Sequence, residues 1–240
     1  MSDMDRLGRI DMPLTDYELE LAENCYGYGC WEAPYWFIGI EERLDTYEKG
    51  DRTKRAKAFE KLSTDGLCDL HKFHQEIGID RWQTELQFTW GRLIWLLKKY
   101  LKEPDDDSCL LKYQINSWGN SKGATCVTEL SGLPADSSKE GRRLDRERFK
   151  DCKDQLDRIR MQRIKKMICK IKEHKPELVI FYGKTQVTYW RQITDCELHF
   201  DEVDKPGATS FVFTCHPNMH GRKREEWEAL GNLLGAANHS

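Results

Sequence analysis

The chain has 240 residues, 39% of them apolar and 33% charged, with a formal net charge of −3. Seventeen Gly and seven Pro exclude collagen-like and proline-rich repeats, and no apolar run approaches the roughly 20 residues a membrane helix needs. Eight Trp, nine Tyr and nine Phe supply enough large buried side chains to favour a folded chain over a disordered one. Met1 to Met12 is polar and mixed in charge, without the apolar core of a secretion signal. The expected setting is cytoplasmic, and nine cysteines, an odd number, read there as thiols.

The small net charge hides a strong asymmetry. Residues 1–138 carry a net of −8, residues 139–184 a net of +8 and residues 185–240 a net of −3. A concentrated basic segment in an acidic chain points to a polyanion-facing surface, with a solvated helix face as the plainer alternative.

In chain order, four short apolar runs read as buried strands: Tyr35–Ile40, Ala124–Leu130, Glu177–Tyr182 and Phe211–Cys215. None alternates strictly, which suits parallel strands covered on both faces. A fifth run, Glu197–Val203, alternates more and reads as an edge strand. Between the runs, Leu86, Trp90, Leu93, Ile94, Leu97 and Leu101 mark one face of a helix that Pro104 and the Asp105–Asp107 run should end. Ile164, Met167, Ile168 and Ile171 mark a second helix, much of whose remaining surface is Arg158, Arg163, Lys165, Lys166, Lys170 and Lys172. The charged stretch 136–157 reads as an insertion forming a loop before it, and Glu225–Leu234 as a closing helix. Repeated strand–helix alternation predicts one domain over 1–240, a three-layer α/β/α sandwich on a mainly parallel four-stranded sheet.

In such sheets ligands bind beyond the carboxyl ends of the strands. The first strand ends Gly39-Ile40-Glu41-Glu42, and adjacent residues of a strand point to opposite sides, so at most one carboxylate faces the cleft. The alternative is that both cap a following helix. The last strand ends Thr214-Cys215-His216-Pro217-Asn218, where Pro217 restricts the backbone of His216. Cys215, His216 and His220 lack an accompanying Cys-x-x-Cys or His-x-x-x-His pair, so no metal site is expected. Gly183-Lys184-Thr185 lacks the upstream glycine of a phosphate loop, and that reading is rejected.

Taken in order, these strand ends resemble the uracil-DNA glycosylase superfamily over roughly residues 35–220. Gly39-Ile40-Glu41-Glu42-Arg43 stands where the family has its first motif, and His216-Pro217-Asn218 where it has its His-Pro-Ser motif. Thr128-Glu129-Leu130-Ser131-Gly132-Leu133-Pro134 and Lys175-Pro176 through Gly183 are similar to the two strands between. The resemblance implies hydrolysis of an N-glycosidic bond in DNA, single- or double-stranded. Some members of the family bind an iron–sulfur cluster through four cysteines that include a Cys-x-x-Cys pair, which this chain lacks, so no cofactor is expected, and the expected state is a monomer. It implies Glu41 and His216 as catalytic residues, and Gly39, Ile40, Glu129, Asn218 and the aromatic Tyr47 around the base. Met219 and His220 would fill the vacated stack, and Arg222, Lys223, Lys165, Lys166 and Lys170 would meet DNA phosphates.

The departures carry information too. Glu41 stands in place of an Asp or Asn, and Glu129 in place of an Asn that pairs with the uracil edge. An ionised Glu has only acceptors to offer, so a damaged or modified base other than uracil is expected. Glu129 has an alternative place away from the cleft, paired with a basic side chain. The other functional readings are a non-enzymatic nucleic-acid or nucleotide-binding protein on the same fold, and a small-molecule nucleoside or nucleotide hydrolase.

Overall fold

The computed structural model describes residues 14–44, 52–136, 139–218 and 222–237. Four of its strands lie side by side and parallel: β4 (Thr125–Asp136), β2 (Tyr35–Leu44), β5 (Leu178–Tyr182) and β7 (Ser210–Thr214). They coincide with the four apolar runs, because a strand covered on both faces has no polar side to betray a period of two. The expected four-stranded sheet is nevertheless corrected to a mixed sheet of seven, in the order β3-β1-β4-β2-β5-β7-β6. The additions are two-residue strands: β1 (Gly27–Tyr28), antiparallel to β4; β3 (Leu67–Cys68), parallel to β1; and β6 (Val203–Asp204), antiparallel to β7. The edge strand expected over 197–203 is thus confined to its last residue and Asp204, apart from a single bridge at Phe200.

Helices cover both faces. Phe73 of α3 (Leu70–Ile77), Leu93 and Leu97 of α4 (Phe88–Leu101) and Leu230 of α9 (Arg224–Ala237) pack with Phe37, Ile180 and Val212. On the other face Ile164 and Met167 of α7 (Lys153–His174) and Trp190 of α8 (Val187–Thr194) pack with Trp36, Ile38 and Phe181. Every one of these side chains is at most 2% exposed. Of the helix faces expected from spacing, Leu93, Ile94, Leu97, Ile164, Met167 and Ile171 are buried, Trp90, Leu101 and Ile168 are partly buried, and Leu86 lies before α4.

Several helices carry local signals of their own. Thr15 and Glu18 form a reciprocal capping box at the start of α1 (Asp16–Asn24). Asp106 accepts from the amides of Ser108 and Cys109, so the acidic run that was expected to end α4 starts α5 (Asp107–Asn116). The charged stretch expected as a loop forms α6 (Lys139–Arg148) and the first turns of α7.

The largest departure in α7 is Arg163. It belongs by sequence to the basic face, yet it is 1% exposed. Its guanidinium donates to the main-chain oxygens of Leu130 at 3.0 Å, Glu129 at 2.7 Å and Ala22 at 3.2 Å, and lies 4.1 Å from the centre of the Tyr26 ring. One side chain therefore ties α7 to β4 and α1. Arg163→Lys keeps the charge but cannot span three acceptors. It should lower stability by roughly 3 kcal/mol, read as a reduced urea midpoint with an unchanged slope.

Candidate functional site

The chain leaves β2 toward β4 on one side and leaves β5 toward β7 on the other. Adjacent strands whose connections diverge leave a crevice at their carboxyl ends. Here the crevice is deepened because β2 pairs with β5 only as far as Ile38, then runs on beside β4 to Leu44. The overhang forms one wall of a cleft of about 770 Å³, lined by Ile40, Glu41 and Arg43 from β2 and Ala135 from β4. His216, Pro217 and Asn218 form the opposite wall, with Phe88 and Arg142 at the margins.

Glu41 and Glu42 point to opposite sides of the strand, and the pairing with β4 shifts register between Glu41 and Arg43. Glu41 faces the cleft. Glu42 accepts from the Tyr28 hydroxyl at 2.9 Å and pairs with Arg55 at 2.9 Å. Helix capping by both is set aside, since Glu42 is committed to Tyr28 and to Arg55 of α2 (Arg52–Leu62). Glu41 is exposed at the cleft, and desolvation by the surrounding protein, with Asp145 adding to it, raises its pKa against the opposing charges of Arg160, Arg142 and Arg43.

His216 is held in one tautomer. Its Nδ1 accepts from the main-chain amide of Asn218 at 3.1 Å, so in the neutral ring the proton sits on Nε2. Burial, and then the charge of Arg43, lower its pKa below the ordinary histidine value. The ring meets Tyr182 edge-on at 5.6 Å between centroids. A neutral imidazole with a fixed Nε2–H is a hydrogen-bond donor for an oxygen that gains negative charge.

Glu129 takes neither of its expected places. It is absent from the walls of the cleft, and among the described residues it has no basic side-chain partner within ion-pair distance. Its carboxyl lies under Gly39, where a side chain on residue 39 would sit 2.2 Å from Glu129 Oε2 and 2.5 Å from the Tyr182 ring. Only glycine permits that approach, so Gly39 serves packing here and is not on the cleft wall. Tyr182 donates its hydroxyl to Glu129 Oε1 at 2.9 Å, while Oε2 is buried without a partner. Burial pushes the Glu129 carboxyl up to about 8.

The expected phosphate contacts divide. Lys165 and Lys223 are exposed. Lys166 and Lys170 both pair with Asp65, at 3.0 and 2.9 Å. Arg222 is 5% exposed in its side chain, pairs with Asp201 at 3.0 Å, donates to Thr214 at 2.7 Å and stacks 4.0 Å from the centre of Trp227. Lys166 and Lys170 thus share one carboxylate and remain partly exposed, whereas the guanidinium of Arg222 is taken up inside the protein. Tyr47, Met219 and His220 lie outside the described residues. Sequence reading missed Arg43, Phe88 and Arg142. Arg43 was within reach of it as the next residue of the first motif. Phe88, 60% exposed at the start of α4, carries no sequence signal for the cleft.

Among the described residues, no three His, Cys, Asp or Glu side chains come together to hold a metal ion, and no helix is long and apolar enough to cross a membrane. The sequence matches no protein-family model and no curated protein. The class that fold and site define is an α/β sandwich with an acid, a neutral histidine and two arginines, Arg43 and Arg142, that have no ion-pair partner among the described residues, around a switch-point cleft.

Proposed function

We propose that the protein is a DNA glycosylase-like hydrolase that cleaves the N-glycosidic bond of a damaged or modified base. One observation carries this reading: Glu41 and a neutral, Nε2-protonated His216 line the same cleft at the carboxyl ends of β2 and β7. Hydrolysis of this bond puts positive charge on the sugar and negative charge on the departing base, and the two groups suit those two charges. Glu41 stabilises the oxocarbenium-like sugar and orients the attacking water. His216 donates from Nε2 to the oxygen of the leaving base. Phe88, at the margin of the cleft, supplies an exposed ring on which an extruded base can stack. Arg43 and Arg142 offer charge to the flanking phosphates. Extrusion itself costs a few kcal/mol, least for a mismatched or damaged base, which is one source of selectivity. The protein would act as a monomer in the cytoplasm, a setting that suits nine cysteines which are all free thiols.

The test is incubation with oligonucleotides carrying uracil, hypoxanthine, xanthine or an alkylated base, followed by alkali cleavage. Scission of at least one modified strand is expected from the wild type, reduced at least tenfold by His216→Ala. Tight binding without scission across the panel would replace the enzyme with a binding protein on the same fold.

A further inference from the structure

A second cleft, of about 830 Å³, opens on the other side of Glu41, between β4, α6 and the start of α7. It shares Glu41, Ala135 and Arg142 with the first, so occupants of the two would abut. Its volume lies within the ordinary range for small-ligand sites. Leu133, Phe149, Leu156 and Ile159 give it apolar walls.

Its charge is strongly one-sided. Seven basic residues line it against three acidic ones. Two of the three acids are already matched: Asp145 pairs with Arg52 at 2.6 Å, and Asp157 with Lys153 and Arg160 at 2.5 and 2.9 Å. The third is Glu41. Among the described residues, Arg142 and Lys150 have no carboxylate partner, and Arg146 uses only its Nε–H, on the main-chain oxygen of Arg142. A cleft with apolar walls and unmatched cations is built for a ligand that is anionic at one end and apolar at the other. A nucleotide with its base unstacked has that form, whereas the apolar faces of the bases in a duplex are stacked on one another.

We infer that this cleft holds a nucleotide next to the target base in a single strand of DNA, with its phosphates on Arg142, Arg146 and Lys150 and its base against the apolar wall. The inference rests on the glycosylase reading for the identity of the polymer. It moves the strand path from the Lys166–Lys170 face of α7 to the α6 side of the molecule.

The probe is a fluorescent, undamaged 12-nucleotide single strand of mixed sequence, titrated with the whole protein over a range of salt. The combined variant Arg142→Gln, Arg146→Gln and Lys150→Gln should bind at least tenfold more weakly near 0.1 M salt. Its slope of log affinity against log salt should fall by about 2, as expected for three lost single-strand phosphate contacts. The combined variant Lys165→Gln, Lys166→Gln and Lys170→Gln should bind as the wild type does. A milder pair, Arg146→Gln with Lys150→Gln, gives the same readout with a slope change of about 1.4 if the triple variant folds poorly. The inference is overturned if the wild type does not bind the strand, if the α6 variants bind normally, or if the α7 variant accounts for the loss. Because the strand is undamaged, the result is separate from excision. Binding that depends on α6 in a protein that excises nothing would keep this site and remove the glycosylase reading; excision unaffected by Arg146→Gln with Lys150→Gln, which spare the shared Arg142, would do the reverse.

Discussion

Glu41→Gln should lower base excision by about 10²–10⁴-fold, the range associated with removing a positioned acid–base group. Glu42→Gln should leave excision within a few-fold of wild type and act on stability instead. The two residues are neighbours with the same chemistry, so the contrast comes from where each points. Glu41 lines both clefts, whereas Glu42, on the opposite side of the strand, is bound to Tyr28 and Arg55. Arg55 is 5% exposed in its side chain, and replacing its carboxylate partner by a neutral amide should cost about 1–3 kcal/mol. Single-turnover excision and urea unfolding, run on both variants, give the four numbers needed. Equal loss of excision in both would mean that neither carboxylate is catalytic and that the first motif is a structural feature of the strand end.

Glu129→Gln should make the protein markedly more stable at pH 8 and leave it nearly unchanged at pH 5. The buried Glu129 carboxyl is raised from 4.5 to about 8. Between these values the unfolded chain has released the proton while the folded chain retains it. Stability therefore falls with rising pH across that window, by up to roughly 5 kcal/mol when the shift is converted at 1.36 kcal/mol per unit. The contribution is complete below about pH 4.5 and is lost as pH passes through 8. A Gln has the shape of the protonated acid, keeps an oxygen for the Tyr182 hydroxyl and cannot ionise. The expected increase in melting temperature is roughly 10 °C at pH 8, with the curves converging toward pH 5. Parallel pH dependences for wild type and variant would show that Glu129 is ionised in the folded protein. In that case the Tyr182 bond would be charge-assisted and the carboxylate would have access to solvent.

The sequence by itself determined the parallel centre of the sheet and the ends at which chemistry gathers. Strands covered on both faces are continuous apolar runs, and the helices against them show a spacing of three and four; both signals are local. It also put Glu41 and His216 at the ends of two such strands. The capping box at Thr15 and Glu18 was equally local and went unread, and with it α1. The two-residue strands β1, β3 and β6 carry no periodicity, because two residues cannot display one.

What only the tertiary structure decided is which charges are free. Lys166, Lys170 and Arg163 sit on one basic helix, but Asp65 lies 101 residues from Lys166, and the main-chain acceptor at Ala22 lies 141 residues from Arg163. A guanidinium is buried when carbonyls left over by other elements converge on it, and a lysine is neutralised when a distant loop brings it a carboxylate. Neither condition is written near the residue in the chain. The same holds for Glu42, whose partners Tyr28 and Arg55 come from other elements, and for Glu129, drawn under Gly39 by the Tyr182 hydroxyl from the end of another strand. Composition locates a surplus of positive charge, but its availability depends on the partners that folding brings to it.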